Sequence, residues 1–385
     1  MDQHEQRTVE AALRRFAARV EQILFAGAGA EGDLARLPLL LAEARDTGLV
    51  TDPDPASPGY ELGVWGQACH EEGSTRSLLA LSLLGEACAG TACAIHAQGL
   101  ACLALNGQRH VQSAAWLAAV FSPNYGVPLS ARLKSEGSGL RLMKVGDVLE
   151  LNGTSHFLLA PDRPDKLICF ALQSVADQST PEWAVLVIHS NATGVELTEV
   201  AHRTGLRAAK QYYLSCDHVV VSAHQVLREG EAALHSLQRV MACDWLGQAA
   251  IALGVARRAL RDSRAYTAQR YQGGQIIQEH ASIQLLQGTA DYDIALMAAI
   301  LYQHADEPLA SLDPKALLRW AVHAKLAIVE HAYRAVTNCL QTLGGYGYME
   351  DYHLEKRLRD VSVLKSLHGA PDQLRLFLSD LARME

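Results

Sequence analysis

Three side chains stand out as possible proton carriers because each lies where its residue type is unusual. Asp244 lies within "MACDWLGQAA", where a carboxylate among Ala, Leu and Trp is unfavourable unless it is paired or functional. His368 lies in "SLHGAP", one position before a glycine, and an imidazole can act as a base at neutral pH. His96 lies in a long apolar stretch, where it could line a cavity or be a satisfied core histidine. These residue types allow acid–base chemistry.

A pair of adjacent glycines, Gly344 and Gly345, follows a long helical pattern in "LQTLGGYGY". Adjacent glycines remove side chains where a helix ends, so a planar or phosphate-bearing ligand can approach the backbone closely. A dinucleotide would suit such a surface. Taken alone, the pair is typical of a helix C-cap, so it indicates a cofactor only in combination with other motifs.

Three segments with different residue patterns must position these residues. Residues 1–117 show apolar residues three and four apart, which predicts helices and an N-terminal all-α domain. Residues 118–223 contain Pro, Gly and short β-type runs, which predict a middle antiparallel β domain. Residues 224–385 return to long helical patterns and predict a helical C-terminal domain. We therefore expect an α+β fold that is mainly α.

Composition limits the partners and the compartment. Lys and Arg number 34 against 42 Asp and Glu, a formal charge of −8, which gives no reason to expect nucleic acid. The N-terminus "MDQHEQRTVEAALRRF" does not resemble a secretory signal, so a cytoplasmic location is expected. The eight cysteines never form CxxC, which favours buried thiols over a metal site or disulfides. Residues 77–105 could span a bilayer by length, but Glu86, His96 and Gln98 favour two buried helices.

Three longer motifs combine with this domain order. They are "QTLGGYGYMEDYHLEKRLRD" at residues 341–360, "RYQGGQIIQEH" at residues 270–280, and "LELNGTSHFLL" in the β domain. The first is similar to the signature Q-x-x-G-G-x-G-Y, followed by a Glu and an Arg-Asp pair, of the acyl-CoA dehydrogenases. The other two also resemble motifs of that flavoprotein family. The resemblance covers nearly the whole chain and implies that the C-terminal domain is a four-helix bundle.

The resemblance implies that FAD is the cofactor and that its site spans two subunits. Gln341, Gly344 and Gly345 would contact the ADP part of FAD across a subunit interface. Arg270 would pair with the pyrophosphate, a role that fits a bidentate guanidinium. Phe157 falls where the family places an aromatic side chain beside the isoalloxazine ring.

Two stretches depart from the family pattern. Leu159 replaces a threonine that hydrogen-bonds the flavin in the family. The loop "VFSPNYGVPLS", residues 120–130, keeps only Pro123 and Gly126 of the family's T-E-P-x-A-G-S-D. We therefore expect the substrate end of the site to be altered.

The family's usual catalytic glutamate is also missing. Dehydrogenation needs a base that removes the proton next to the thioester carbonyl while a hydride leaves the neighbouring carbon for the flavin. Counting from Asp360, the residue equivalent to that glutamate is His368. Some family branches carry the base ten residues before a glycine, which here is Gly254, and that position holds Asp244. We therefore expect Asp244 to be the base. The alternatives are that His368 is the base or marks a flavin monooxygenase, and that the chain is a catalytically silent subunit.

The activity that the resemblance implies is FAD-dependent α,β-dehydrogenation of an acyl-CoA thioester. An electron-transferring flavoprotein would accept the electrons. His96 is a candidate for lining the acyl cavity. A homotetramer or homodimer is expected, with a hetero-oligomer containing a homologue as the alternative.

Overall fold

The computed structural model describes residues 3–25, 37–50, 63–66, 73–105, 117–120, 139–174 and 181–383. In these ranges, helices α1 to α4 precede a sheet of strands β1 to β8, and helices α5 to α9 follow it. The fold is mainly α with one sheet between two helical parts. The predicted fold class is therefore confirmed.

The N-terminal part contains four described helices, which are α1 (Gln3–Leu24), α2 (Leu37–Asp46), α3 (Thr75–Ala87) and α4 (Ala89–Leu105). The last two lie in the apolar stretch 77–105, as predicted. They are separated at Cys88, where the backbone is extended with φ −157° and ψ 112°. Among the described helices, none combines the length and the apolar character that crossing a membrane would require.

The middle part contains eight described strands, which are β1 (Leu117–Val120), β2 (Gly139–Val145), β3 (Val148–Ala160), β4 (Lys166–Gln173), β5 (Glu182–His189), β6 (Val195–Glu199), β7 (Lys210–Val221) and β8 (Val226–Glu229). They form one sheet in the order β6-β7-β3-β2-β4-β5-β8, with β1 beside β4. Most neighbours are antiparallel as predicted, but β1 and β2 both run parallel to β4. The alternation of residues along a strand does not encode its direction relative to a neighbour, so the sequence pattern could not reveal the parallel pairs.

Strand β4 is buried on both faces and separates two parts of the core. Ile168 and Phe170 belong to the core shared with the helices, whereas Leu167 and Cys169 belong to the core of the sheet. Successive side chains of a strand point to opposite faces, which explains the division. One face of the sheet therefore packs against the helical part of the molecule.

The C-terminal part contains five helices, which are α5 (Gly230–Thr267), α6 (Ala281–Leu301), α7 (Pro314–Thr342), α8 (Leu354–Ser366) and α9 (Pro371–Arg383). A short hairpin of β9 (Tyr271–Gln272) and β10 (Gln275–Ile276) follows α5. Helix α7 begins at a clear start signal, because the Asp313 side chain accepts hydrogen bonds from the backbone N–H groups of Lys315 and Ala316. Pro314 occupies its first turn, where the missing N–H costs nothing.

Helices α3 and α5 approach each other closely because each has a glycine at the contact. A Cβ atom at Gly254 would lie 1.9 Å from the carbonyl oxygen of Ser82, and one at Gly85 would lie 2.5 Å from that of Ile251. Any larger residue would push the two helices apart. Helix α4 follows α3 directly and also contacts α5.

The Arg-Asp pair of the signature joins α8 to the loop before β7. Arg359 donates to the carbonyl oxygen of Thr204 at 2.7 Å. Asp360 accepts from the backbone N–H of Leu206 at 2.7 Å and from the ammonium of Lys356 at 2.5 Å. These contacts fix α8, and with it the turn that contains His368, against the middle part of the chain.

Candidate active site

Asp244 and His368 lie side by side, although the sequence presents them as alternatives. His368 Nδ1 lies 2.8 Å from Asp244 Oδ2. Only 1% of Asp244 is exposed. A carboxylate only accepts hydrogen bonds, so Nδ1 carries the hydrogen, and in the neutral ring the lone pair belongs to Nε2. The two residues form one hydrogen-bonded pair in which the imidazole presents a basic nitrogen.

His96 contacts the same carboxylate from helix α4. Its Nε2 lies 3.2 Å from Asp244 Oδ1, and its Nδ1 accepts a hydrogen bond from Trp65 Nε1 at 2.9 Å. An indole N–H only donates, so His96 Nδ1 has no hydrogen and Nε2 carries it. His96 is therefore a neutral ring that donates to Asp244.

Gln248 and Lys325 complete the cluster. Gln248 lies one turn after Asp244 on α5, and its amide nitrogen donates to Asp244 Oδ1 at 2.9 Å. Its amide oxygen accepts from Lys325 Nζ, which also donates to the carbonyl oxygen of Leu364. Lys325 has no exposed surface. The Asp244 carboxylate thus accepts hydrogen bonds on both oxygens.

Burial and hydrogen bonding together set the charges in the cluster. Burial alone would raise the pKa of Asp244, but the adjacent His368 and the hydrogen bonds from His368 and His96 outweigh it and hold the pKa well below its usual range. Asp244 is therefore a carboxylate at neutral pH. Burial lowers the pKa of Lys325 to about 7, against the opposing effect of the Asp244 charge. Burial also raises the pKa of the Cys93 thiol, which is therefore not a thiolate near neutral pH.

Local sequence explains how these side chains come together. A Cβ atom at Gly247 would lie 2.2 Å from Cε1 of His96, so only glycine leaves room for the ring on this face of α5. His368 has a left-handed backbone with φ 51°, and Gly369 follows with φ 131°. The carbonyl oxygen of His368 accepts from Trp245 Nε1 at 2.9 Å. The turn is thereby held against α5 beside Asp244.

A small cavity lies next to the pair, between α4, α5, strands β1 and β3 and the turn after α8. Its volume is about 10 Å³, room for about one water molecule. Leu159, the residue in the place of the expected threonine, is part of its wall. The described residues around it are Cys93, His96, Ala97, Leu100, Ala119, Leu159, Asp244, Leu367 and His368.

The residues expected to contact the ADP part of FAD lie beyond the other end of α5. Gln341, Gly344 and Gly345 are exposed. A Cβ atom at either glycine would meet no atom within 4 Å, so the bare backbone at Gly345 is not required by packing within the described chain. The exposed Arg270 lies with its guanidinium 5.3 Å from the ring centroid of Tyr346. An exposed cation beside a bare backbone fits the pyrophosphate of a dinucleotide.

Within one chain, this surface is far from the Asp244–His368 pair. Asp244 and the last residue of α5, Thr267, are 23 residues apart. At a rise of 1.5 Å per residue this length of helix is about 35 Å.

Other expectations fall outside what the structure describes. The Phe157 side chain and the loop from residue 121 to residue 130 are not among the described positions. Within the described ranges, no group of three or more His, Cys, Asp or Glu side chains could hold a metal ion. The cysteines in those ranges are free thiols.

Three members of the cluster were not expected from the sequence: Trp65, Gln248 and Lys325. A signal for Lys325 exists, because it lies seven residues after Leu318 and three before Ile328, on the buried face of α7. A lysine on such a face needs a partner. Gln248 lies four positions after Asp244, the spacing at which two helical side chains meet.

Comparison with known proteins agrees with this architecture. Residues 237–380 match the family model of the acyl-CoA dehydrogenase C-terminal domain. The short-chain specific acyl-CoA dehydrogenase of Clostridium acetobutylicum is 26% identical over 236 residues, which span 61% of this chain and 61% of that protein. The cyclohex-1-ene-1-carbonyl-CoA dehydrogenase of Geobacter metallireducens is 25% identical over 80% of this chain and 82% of that protein. The structure of butyryl-CoA dehydrogenase from Megasphaera elsdenii has a TM-score of 0.73 at 20% identity, over 97% of this chain and 98% of that chain. Residues 237–380 are therefore similar to the C-terminal domain of the acyl-CoA dehydrogenases, and the whole chain has the fold of that butyryl-CoA dehydrogenase.

Proposed function

We propose that this protein oxidises an acyl-CoA thioester to the α,β-unsaturated product, with FAD as cofactor and His368 as the base. The observation that carries the proposal is the 2.8 Å hydrogen bond between His368 Nδ1 and Asp244 Oδ2. It makes Nε2 the basic nitrogen of the ring and supplies a negative charge beside it. The usual glutamate is thus replaced by a residue pair.

Asp244 acts as a positioning residue in this proposal. Its pKa is held below the usual range, its oxygens are occupied by hydrogen bonds, and it is almost fully buried. A general base works best when its pKa lies near the operating pH, so this carboxylate is a poor proton acceptor. Its negative charge instead stabilises the imidazolium that forms when His368 takes a proton.

His368 Nε2 removes the proton from the carbon next to the thioester carbonyl. Bound FAD would accept the hydride that leaves the adjacent carbon, so the substrate loses one proton and one hydride. Asp244 keeps the ring oriented during the transfer. Because the cavity beside the pair has room for about one water molecule, an acyl group enters only when lining side chains such as Leu100, Leu159 and Leu367 move apart.

The position of the residues proposed to bind FAD supports the further proposal of a homo-oligomer. Arg270, Gln341, Gly344 and Gly345 would hold the ADP part of a flavin whose ring lies in another subunit, because the acid–base pair of their own chain is too far along α5. The outer face of α6 offers an area for contact with a second copy. Its Leu285 and Tyr292 are 72% and 64% exposed.

The acceptor of the electrons is proposed from the family resemblance to be an electron-transferring flavoprotein. The residues that line the cavity do not identify the acyl group of the substrate. In the resemblance, Asp244 on α5 and His368 after α8 occupy two alternative positions for the catalytic base. We further propose that both residues serve one function in this protein, because they contact each other directly.

Flavin bleaching tests the proposed function. Protein purified with FAD is mixed with a panel of acyl-CoA thioesters without oxygen, and the loss of flavin absorbance is followed. His368→Asn is expected to reduce the bleaching rate by about 10²- to 10⁴-fold, the usual contribution of a general base, while FAD stays bound. His323→Asn, an exposed histidine on α7, serves as the matched control and should bleach at the wild-type rate.

Other outcomes identify the alternatives. If His368→Asn bleaches as fast as the wild type, His368 is not the base, and protein that stays colourless with FAD contradicts the cofactor. Reduced flavin that consumes oxygen and hydroxylates a substrate, without bleaching by any thioester, indicates a monooxygenase. Failure of both reactions with copurification of a homologous chain indicates a silent subunit.

A further inference from the structure

We propose that Trp65 and Lys325 are positioning residues of the Asp244–His368 pair, acting through His96 and Gln248 respectively. The inference rests on the proposed function for its catalytic meaning, but the hydrogen-bond pattern can be tested without it. Neither side chain touches Asp244 through a hydrogen bond of its own. Each fixes the orientation of a residue that does.

Trp65 determines the tautomer of His96. The indole N–H has no lone pair to offer, so His96 Nδ1 must accept from it and the ring hydrogen must be on Nε2. That hydrogen points to Asp244 Oδ1 at 3.2 Å. In the other tautomer, the Nε2 lone pair would face the carboxylate, and two acceptors would meet inside a buried site.

Lys325 determines the orientation of the Gln248 carboxamide. Both contacts of Lys325 Nζ are to oxygen acceptors, the Gln248 amide oxygen and the Leu364 carbonyl, so the nitrogen donates in each of them. With its oxygen turned to Lys325, Gln248 presents its N–H group to Asp244 Oδ1 at 2.9 Å. If the amide rotated by half a turn, its oxygen would face the carboxylate.

The two lines of hydrogen bonds meet at one atom, Asp244 Oδ1. His96 and Gln248 each donate one hydrogen bond to this oxygen, and Oδ2 accepts from His368 and orients its ring. Trp65, Gln248 and Lys325 are all buried, so water does not readily replace a lost donor. The charged state of Asp244 and the ring orientation of His368 therefore depend on two side chains from distant elements.

Nitrogen NMR of histidine-labelled protein tests the Trp65 part without any substrate. The His96 ring, assigned by comparison with His96→Gln, is expected as the pure Nε2–H tautomer in the wild type. In Trp65→Phe, Nδ1 becomes able to bind a proton, and its resonance should move towards the protonated position. Trp183→Phe, another buried tryptophan, should leave the His96 signals unchanged. A wild-type His96 with its hydrogen on Nδ1 overturns the inference even if Trp65→Phe does not fold.

A double-mutant cycle tests the Lys325 part. Lys325→Met should shift the His368 Nδ1–H proton signal and lower the rate of flavin reduction about ten- to a hundredfold through misplacement of the pair. If Lys325 acts through Gln248, the same change in a Gln248→Leu background adds little. Additive effects contradict the inference. Lys315→Met, on the exposed start of α7, is the matched control.

The two proposals fail separately. If no thioester bleaches the flavin but the NMR pattern is as described, the proposed function is wrong and the positioning network stands. If bleaching depends on His368 while His96 and His368 keep wild-type signals in Trp65→Phe and Lys325→Met, the positioning roles are wrong and the proposed function stands.

Discussion

Gly247 lies directly beneath the imidazole ring of His96, and a Cβ atom there would come within 2.2 Å of ring Cε1. Gly247→Ala is expected to displace the ring and weaken its hydrogen bonds to Asp244 and Trp65. The cost of overpacking at such a site is about 1–3 kcal/mol of unfolding free energy, measured by urea denaturation.

Gly288→Ala supplies the control for this substitution. Gly288 also lies inside a helix, but a Cβ atom there meets no atom within 4 Å. Alanine should stabilise the protein at this position by about 0.5–1 kcal/mol, because glycine is unfavourable within helices. Equal stability of the two variants would contradict the close contact between Gly247 and His96.

Lys325 should make stability depend on pH in the alkaline range. Burial lowers its pKa in the folded protein from 10.5 to about 7. Between these values the unfolded chain binds more protons at this site than the folded chain, so the unfolding free energy rises with pH, by up to about 1.4 kcal/mol per pH unit. The stability of the wild type relative to Lys325→Met should be constant below about pH 7 and rise from there towards pH 10.

The matched control is again Lys315→Met, because Lys315 is exposed. Its stability difference from the wild type should show no comparable rise over this range. A flat difference for Lys325→Met would mean that Lys325 keeps an ordinary pKa in the folded protein.

Asp244 should make stability depend on pH in the acid range. Its pKa in the folded protein is lowered from an ordinary value of 3.8. Its contribution is therefore fully present above about pH 4 and is lost as the pH falls towards the folded pKa. Asp244→Asn should cost about 3–5 kcal/mol at pH 7, because it leaves its buried partners incompletely paired, and the difference should shrink below pH 4. A difference that stays constant down to pH 3 would argue against a strongly stabilised carboxylate.

Arg270 should determine the affinity for FAD. Removal of a charge-assisted hydrogen bond to the pyrophosphate costs about 1.5–3 kcal/mol, so Arg270→Met should weaken FAD binding roughly 10- to 100-fold. Quenching of flavin fluorescence on titration of the apoprotein measures the change. Arg264→Met, an exposed arginine on the last turn of α5 that pairs with Asp291 at 3.4 Å, should bind FAD normally. Equal affinities of the two variants would remove Arg270 from the cofactor site.

The sequence predicted the main architecture where local signals were strong. Uninterrupted helical periodicity revealed α5 and α7. The joint spacing of glycines, arginines and the Arg-Asp pair indicated the resemblance to acyl-CoA dehydrogenases that the match over residues 237–380 supports. The parallel pairing of β1 and β2 with β4 was missed, because pairing partners are set by the path of the chain rather than by the residues of one strand.

The candidate site was only partly accessible from the sequence. Asp244 and His368 were both identified, but 124 positions separate them, and no local pattern indicates that their side chains meet. The spacing of Lys325 from Leu318 and Ile328 indicates a buried lysine, but not its partner, because Gln248 lies on another helix. Hydrogen bonds between distant elements depend on tertiary packing, which the periodicity of a single helix does not specify.

The left-handed backbone of His368 places the requirements of catalysis and of stability in conflict at one position. A residue other than glycine at φ 51° is about 1–2 kcal/mol less favourable than in an ordinary conformation. Replacing His368 with glycine would relieve the backbone, because glycine adopts positive φ without a steric cost, but it would also remove the imidazole. Position 368 should therefore be left unchanged when substitutions are screened for higher stability. Relatives with glycine at this position should be placed in a different functional class from those with histidine.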